Sequence, residues 1–259
     1  MTKRIIDLRL VEKREWPQAV LLKLRSDVEP LPEAAPGQFV QVRVDQSPAT
    51  YLRRPISIHF IDRERRELWL LVRKVGAGTR AMADWPLQTR VNVVFPLGHP
   101  YTLPKASKKE RCLLVGGGIG LAPLLYLGKM LHEQGHHPMF LLGGRSADDL
   151  IQLNEFEQYG ELCLTTEDGS AGIKGLVTAH PVLQGPSPDR IYCCGPKPMM
   201  VAVARYARQK GLWCEVSLEN TMACGIGACL CCVEDTVEGH RCVCQEGPVF
   251  NINQLKWQI

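Results

Sequence analysis

Along the first hundred residues, apolar and polar positions alternate in short runs. Gln38-Phe39-Val40-Gln41-Val42-Arg43-Val44 keeps a period of two, the spacing that turns one strand face to a core and the other to water. Glu67-Leu68-Trp69-Leu70-Leu71-Val72-Arg73 is a largely apolar run of strand length, and residues 91–95 form a third. Pro30, Pro32, Pro36-Gly37 and Pro96-Leu97-Gly98 cut these runs apart. Short strands divided by turn residues predict an antiparallel β-barrel or sandwich. From Arg111 the pattern changes. Residues 112–115 read as a buried strand, 121–134 as a helix and 138–142 as the next strand, with helical spacing over 147–159. Residues 162–166 and 191–194 complete a set of parallel strands, and 199–210 a final helix. Strands alternating with helices of this length predict an α/β doubly wound nucleotide-binding domain. The polar stretch Pro104-Lys105-Ala106-Ser107-Lys108-Lys109-Glu110 separates the two patterns. The expected division is therefore 1–102, 103–213 and a small C-terminal unit over 214–259.

Composition narrows the class. Of 259 residues, 45% are hydrophobic and 22% charged, which is ordinary for a globular chain and excludes a disordered or collagen-like one. Thirty-one Lys and Arg against 27 Asp and Glu leave a net charge of +4. So mild a charge, evenly spread, argues for neither a nucleic-acid nor a membrane-surface partner. No apolar run approaches the length of a membrane span. The basic start Met-Thr-Lys-Arg-Ile-Ile-Asp is not followed by an apolar segment, so a cytoplasmic location is expected. The outlier is cysteine. Six of 11 cysteines lie within the 21 residues from Cys224 to Cys244, and an odd count in such a chain points to metal or redox use rather than disulfides.

Three motifs carry chemistry ahead of that cluster. Val115-Gly116-Gly117-Gly118-Ile119-Gly120-Leu121-Ala122-Pro123 follows a strand and opens a helix, the context in which glycines admit a pyrophosphate to free backbone N–H groups. Gly116, Gly117, Gly118 and Gly120 are thus candidate nucleotide contacts. The spacing is not Gly-x-Gly-x-x-Gly, and the next strand ends in Gly143-Gly144-Arg145-Ser146 rather than in a ribose-binding acid. Arg145 could reach an adenosine ribose or its 2′-phosphate, or stand as a solvated loop charge. Tyr192-Cys193-Cys194-Gly195-Pro196 turns at the carboxyl edge of the sheet, where open α/β sheets bind ligands. Cys194 and Gly195 are candidates for a nicotinamide site, and a buried strand is the alternative for both cysteines. In the barrel half, Arg53-Arg54-Pro55-Ile56-Ser57 sets two arginines and a serine at one strand end, and Gly76-Ala77-Gly78-Thr79 follows as a second phosphate cradle. Together they suggest a second nucleotide cofactor.

The order Arg-Pro-x-Ser, Gly-x-Gly-Thr, Gly-Gly-Gly-x-Gly-x-Ala-Pro-Leu and Cys-Gly-Pro resembles the ferredoxin–NADP reductase superfamily. The resemblance implies that the barrel binds FAD and the α/β domain a nicotinamide nucleotide. Arg54, Pro55, Ile56 and Ser57 would contact the flavin and its pyrophosphate. Leu71, Val72 and Arg73 would line the flavin, and Gly78 and Thr79 would cradle its phosphates.

In the tail, Cys224, Cys229 and Cys232 give Cys-x4-Cys-x2-Cys, the plant-type [2Fe–2S] spacing, which a later cysteine completes. Zinc fits less well, because Cys242 and Cys244 stand too close for a second knuckle. Spacing alone does not choose between Cys242 and Cys244, and Cys231 competes with Cys232. The tail resembles, more narrowly, the electron-transfer subunits of the two-subunit, NAD-linked dihydroorotate dehydrogenases, whose last ligand stands two residues before an acidic-Gly-Pro-Val-Phe segment. Here that segment is Glu246-Gly247-Pro248-Val249-Phe250, so the resemblance selects Cys244 and leaves Cys242 as a packing cysteine.

This second resemblance implies an electron relay in pyrimidine biosynthesis. A catalytic subunit carrying FMN oxidises dihydroorotate, and electrons pass through [2Fe–2S] and FAD to NAD⁺, in an expected assembly of two catalytic and two electron-transfer subunits. No catalytic acid or base is expected in this chain, and His59 and His240 read as packed or solvated. The alternatives are a relay subunit of another oxidoreductase, associated with a hydrogenase or sulfite reductase, and a zinc-binding adaptor on the same scaffold.

Overall fold

The computed structural model describes residues 3–45 and 50–258, so the outermost bounds of the expected division lie outside the described residues. The barrel half comprises β1 (Arg4–Glu15), β2 (Ala19–Arg25), β3 (Phe39–Val42), β4 (Arg54–Ser57), β5 (Phe60–Asp62), β6 (Glu67–Arg73), helix α1 (Ala77–Asp84) and β7 (Arg90–Leu97). The seven strands form one antiparallel sheet in the order β4-β3-β7-β1-β2-β6-β5, curled into a half-barrel. Its interior is filled by alternate residues: Leu8 and Leu10, Val20, Leu22 and Leu24, Val40 and Val42, Leu68 and Leu70, Val91 and Val93. Strand β2 is buried along both faces because Ala19 and Leu21 point out of the barrel onto the second domain's core.

The second half contains β8 (Arg111–Gly117), α2 (Leu124–Glu133), β9 (His137–Gly144), α3 (Leu153–Glu157), β10 (Glu161–Thr166), β11 (Ile173–Lys174), β12 (Arg190–Cys194), α4 (Lys197–Gln209) and β13 (Trp213–Ser217). The tail adds the hairpin β14 (Val233–Thr236) and β15 (Gly239–Cys242), a single turn α5 (Val243–Glu246) and β16 (Val249–Asn251). Sheet order is β11-β10-β9-β8-β12-β13-β16. All pairs are parallel except the last, in which β16 runs antiparallel to β13. The order reverses between β8 and β12, which opens a crevice at their carboxyl ends. Both glycine-containing turns of the sequence stand there. Since β16 closes the edge of the α/β sheet, the cysteine loop is held between β13 and β16 and set against the barrel, where His99 N–H donates to the Gly247 carbonyl.

Local chemistry shifts several expected boundaries. The helix expected from residue 121 begins at Leu124, because 118–121 form a 3₁₀ turn and Pro123, which lacks an N–H, stands at its cap. The helical spacing of 147–159 resolves into a 3₁₀ turn and the short α3, interrupted at Gln152, whose φ of 58° is left-handed. Gly78 and Thr79 of the expected phosphate cradle lie in the first turn of α1. Among the described residues no helix is long and apolar enough to cross a membrane.

Candidate functional site

Where the half-barrel meets the α/β domain, a cavity of about 240 Å³ is lined by Pro55, Ile56 and Ser57 of β4, Leu71, Val72 and Arg73 of β6, and Val75 and Thr79 at the start of α1. The two arginines of the sequence motif part company. Arg53 bonds the Gln41 and Asn92 carbonyls and the Asn92 side chain, tying β3 to β7. Arg54 turns to α1, and its Nη1 donates to Leu52 O at 2.6 Å. A Cβ on Gly78 would lie 2.5 Å from Arg54 Nε, so this glycine is what lets the guanidinium lie over the helix start. Thr79 Oγ1 accepts from the N–H groups of Val75 (3.0 Å) and Gly76 (3.1 Å), which stiffens the loop. The backbone N–H groups of Ala77 and Gly78 stand beside Arg54 at the positive end of the helix. An anion fits there.

A second cavity, about 370 Å³, occupies the crevice of the α/β sheet. Gly117, Gly118, Ile119, Gly143, Gly144, Arg145, Pro196 and Met199 are among its walls. Gly118 (φ 52°) has nothing within 4 Å of where its Cβ would stand, so its surface is open to a ligand. Gly116 and Gly120 serve packing instead. A Cβ on Gly120 would meet the Cys194 carbonyl oxygen at 2.4 Å and Gly195 Cα at 2.6 Å. Arg145 is mostly exposed, and its backbone N–H donates to Asp149, a carboxylate also bonded by Gln18.

Arg73, Ile119 and Glu219 line both cavities. The two spaces are therefore adjacent, separated by three side chains. Glu219 was not legible as a site residue. Its only local signal is an acid directly after a buried strand end, Val216-Ser217-Leu218. Burial raises its pKa, with Arg73 opposing, and Cys194 Sγ lies 3.9 Å from its Oε1. Cys194 itself is 1% exposed and, like Gly195, lines neither cavity; it sits behind Glu219 with its thiol pKa pushed up by burial. His59 was read as a packed histidine. It is fully buried, and its Nδ1–H donates to the Ala122 carbonyl at 2.7 Å, linking the strand after Ser57 to the end of the glycine loop. Burial holds its pKa down at about 4, while the Ala122 carbonyl and the Gln152 side chain pull the other way.

The cysteine loop is built for sulfur anions. Gly225 and Gly227 have φ of 72° and 84°, a left-handed backbone that glycine adopts without strain. This aims N–H groups inward: Ile226 N–H donates to Cys224 Sγ at 3.4 Å, Gly227 N–H to Cys244 Sγ at 3.1 Å, and Cys244 N–H to Cys232 Sγ at 3.3 Å. The first of these bonds, aided by the N–H groups of Cys229 and Ala228, lowers the Cys224 pKa to about 6. Burial pushes Cys244 up to about 12. Cys232 and Cys244 are buried, Cys224 is half-buried, and Cys229 and Cys231 are exposed. Cys242 is half-buried and its thiol pKa is raised by desolvation. Among the described residues, no group of three or more His, Cys, Asp or Glu side chains closes as around a single metal ion. Backbone N–H groups directed at cysteine sulfur are the surroundings that thiolate-bound iron–sulfur groups take, and the residues present fit one.

Comparison with known proteins agrees with this chemistry. Residues 219–256 match the iron-sulfur cluster binding domain family of dihydroorotate dehydrogenase B. The chain is 42% identical over 225 residues to the dihydroorotate dehydrogenase B (NAD(+)) electron transfer subunit of Shouchella clausii, covering 85% of this chain and 86% of that one. It is 40% identical to the corresponding subunit of Fusobacterium nucleatum, over 83% and 84% of the two chains. Among solved structures, a chain of the NADH-dependent reduced ferredoxin–NADP oxidoreductase, described for flavin-based electron bifurcation, superposes with a TM-score of 0.83 at 30% identity, covering 96% of this chain and 90% of that one. Phthalate dioxygenase reductase shares the fold, with a TM-score of 0.62 at 21% identity over 79% of this chain and 64% of that one. With a half-barrel, an α/β crevice and an iron–sulfur loop in this order, and with such identity along most of its length, the chain belongs to the family of electron transfer subunits of dihydroorotate dehydrogenase B (NAD(+)).

Proposed function

We propose that this oxidoreductase subunit serves pyrimidine biosynthesis by linking a dihydroorotate-oxidising catalytic subunit, bearing FMN, to NAD⁺ through a [2Fe–2S] cluster and FAD. Cys224, Cys229, Cys232 and Cys244 are the thiolates that would hold the cluster. Arg54, Pro55, Ile56, Ser57, Leu71, Val72, Arg73, Gly78 and Thr79 would hold FAD. Gly116, Gly117, Gly118 and Gly120, with Cys194 and Gly195 behind them, would shape the NAD site. When bound, a flavin exchanges a hydride with nicotinamide and single electrons with an iron–sulfur group, the conversion such a relay needs.

One observation carries the reading: the cavity beside the Arg54–Ser57 strand and the cavity of the glycine loop share Arg73, Ile119 and Glu219 as walls. Groups bound in each would be neighbours across these side chains. Arg54 and the start of α1 supply positive charge for a pyrophosphate. Ile119 sets an apolar side chain at the junction. Glu219, whose pKa is raised by burial, accepts a hydrogen bond from the Cys194 thiol beside that junction. Arg145 and Asp149 both stand in the wall of the crevice, and the carboxylate of Asp149 beside the guanidinium opposes a second phosphate there, which favours NAD.

Ile226 and Leu230 are 50% and 64% exposed beside Cys229 and Cys231. Apolar side chains uncovered next to a cysteine loop suit a contact with the catalytic subunit, in an assembly of two and two in the cytoplasm. The working units are the flavin half over 1–102, the nucleotide half over 103–213 and the cluster unit over 214–259. Purified alone, the chain should contain FAD and iron and reduce ferricyanide with NADH, yet leave dihydroorotate untouched until the catalytic subunit is added. Dihydroorotate oxidation by the isolated chain, or FAD-free protein active with NADH, would refute the division of labour.

A further inference from the structure

Strand β3 of the half-barrel carries a polar side chain that lies outside the flavin cavity. Gln41, in the middle of β3, is completely buried, and neither its Nε2 nor its Oε1 has a hydrogen-bond partner among the described residues. A buried carboxamide left unpaired is costly, and such groups are rare unless a bound species completes them. Phe39, two residues earlier on the same strand face, lines the flavin cavity, whereas Gln41 does not. Its carboxamide lies instead against Gly225, the residue after Cys224. A Cβ at Gly225 would stand 2.6 Å from both Cγ and Nε2 of Gln41. Gly225 thus does two things at once: its φ of 72° turns the loop, and its missing side chain admits the Gln41 amide against the loop backbone next to Cys224.

We infer that Gln41 is a positioning residue for the cluster, its Nε2–H donating to a sulfur of the [2Fe–2S] group or of the Cys224 thiolate. The donor comes from the strand that pairs with the flavin strand, since Gln41 is registered opposite Pro55. One side chain thereby links the two redox centres mechanically and tunes one of them. Hydrogen bonds to cluster sulfurs favour the reduced, more negative state and raise the reduction potential. Together with the backbone N–H groups of Ile226, Gly227 and Cys244, Gln41 supplies the side-chain member of this donor set, on the face turned to the flavin half. The inference rests on the cluster reading above.

The test uses the reconstituted holoprotein and the substitution Gln41→Leu, which keeps the bulk and removes the donor. Iron, acid-labile sulfide and FAD content should match the wild type. The cluster midpoint potential should move to more negative values, so that NADH reduces a smaller fraction of it. In the reduced protein exchanged into deuterium oxide, one exchangeable-deuteron hyperfine coupling should disappear from the pulsed EPR spectrum, a readout that a merely structural role would not move. Gln41→Asn, polar and one methylene shorter, should lose the same coupling, and it carries the comparison if the leucine variant loads iron poorly. The wild-type holoprotein, labelled with ¹⁵N at glutamine side chains, should show a nitrogen hyperfine coupling that survives Gln245→Leu, the other glutamine beside the loop. An unchanged potential with an unchanged deuteron coupling in an iron-loaded variant overturns the role of Gln41, and so does the absence of any glutamine nitrogen coupling. Wild-type protein without iron or labile sulfide overturns the cluster reading instead.

Discussion

Gly120→Ala tests whether the distance between the glycine loop and the Cys194–Gly195 turn governs the reaction. The added methyl carbon would stand 2.4 Å from the Cys194 carbonyl oxygen, 2.5 Å from its carbon and 2.6 Å from Gly195 Cα. All three are backbone atoms, which cannot rotate away as a side chain can. Restoring an ordinary contact of 3.4 Å requires the loop and the turn to part by about 1 Å. Overpacking of this kind costs on the order of 1–3 kcal/mol of stability. Because the loop also walls the crevice, a misplacement of about 1 Å at the hydride-transfer junction lowers kcat/KM by roughly 10²-fold. Gly135→Ala is the control. Gly135 (φ 79°) ends the turn after α2 with nothing within 4 Å of its Cβ position, so alanine there pays only the left-handed backbone term of about 1–2 kcal/mol. Steady-state ferricyanide reduction by NADH and thermal unfolding on both variants separate the effects. The expected result is a comparable loss of Tm in both, with a collapse of kcat/KM in Gly120→Ala alone. Wild-type kinetics in Gly120→Ala would refute the claim that this contact sets the junction.

Three further outcomes follow from the same geometry. Serine at Cys224, Cys229, Cys232 or Cys244 should abolish bound iron and labile sulfide while FAD remains, whereas serine at Cys231 or Cys242 should leave iron content unchanged; iron analysis beside the flavin absorbance decides. Glu219 has a raised pKa in the folded state, so the native chain holds the proton longer than the unfolded one and stability falls as pH rises through that window. Glu219→Gln should therefore raise Tm at pH 8 and not at pH 4, and equal gains at both pH values would contradict this. For His59 the sign is opposite. Its folded pKa of about 4 lies below the ordinary 6.5, so the unfolded chain binds the proton first and stability is lost as pH falls from about 6.5 toward 4, by about 3 kcal/mol at the low end. Urea unfolding of His59→Phe should show a flatter pH dependence than the wild type over that range.

The α/β half was legible because its strands are uniformly apolar and its glycines sit at strand ends, where a loop must pass close to another backbone. The residues that escaped notice fall into two groups. Strand β2 has no alternation to detect, since Ala19 and Leu21 on one face and Val20 and Leu22 on the other are all buried. Strand β1 reads as polar because most of its residues are half-buried or exposed at the outer surface of the sheet. Strand β16 is only three residues long, too short to show a period, and its place beside β13 comes from closure of a sheet edge. Glu219 and Gln41 escaped for a different reason, and so did the anchoring contact of His59, which is expected from the sequence only as a packed or solvated residue. Each acquires its meaning from a neighbour far away in sequence: Cys194, Gly225 and Ala122 respectively. Motif spacing reports ligands that lie along one loop and is blind to a contact between domains.

That division has a physical consequence for how the relay is kept in register. The residues proposed to grip each cofactor are local and could therefore be proposed from the sequence: four cysteines within a 21-residue stretch, glycines on one loop, Arg54 to Ser57 on one strand. The residues that would fix the distances between the proposed sites are long-range pairs, with His59 and Gln41 fully buried and Glu219 exposed at its own position. His59 fastens the strand after Ser57 to Ala122, Glu219 joins the entry to the cysteine loop to Cys194, and Gln41 presses the barrel onto Gly225. Electron and hydride transfer depend steeply on separation, whereas binding depends on local complementarity. Substitutions in the first group should therefore empty a site, and substitutions in the second should leave every site filled while slowing transfer between two of them.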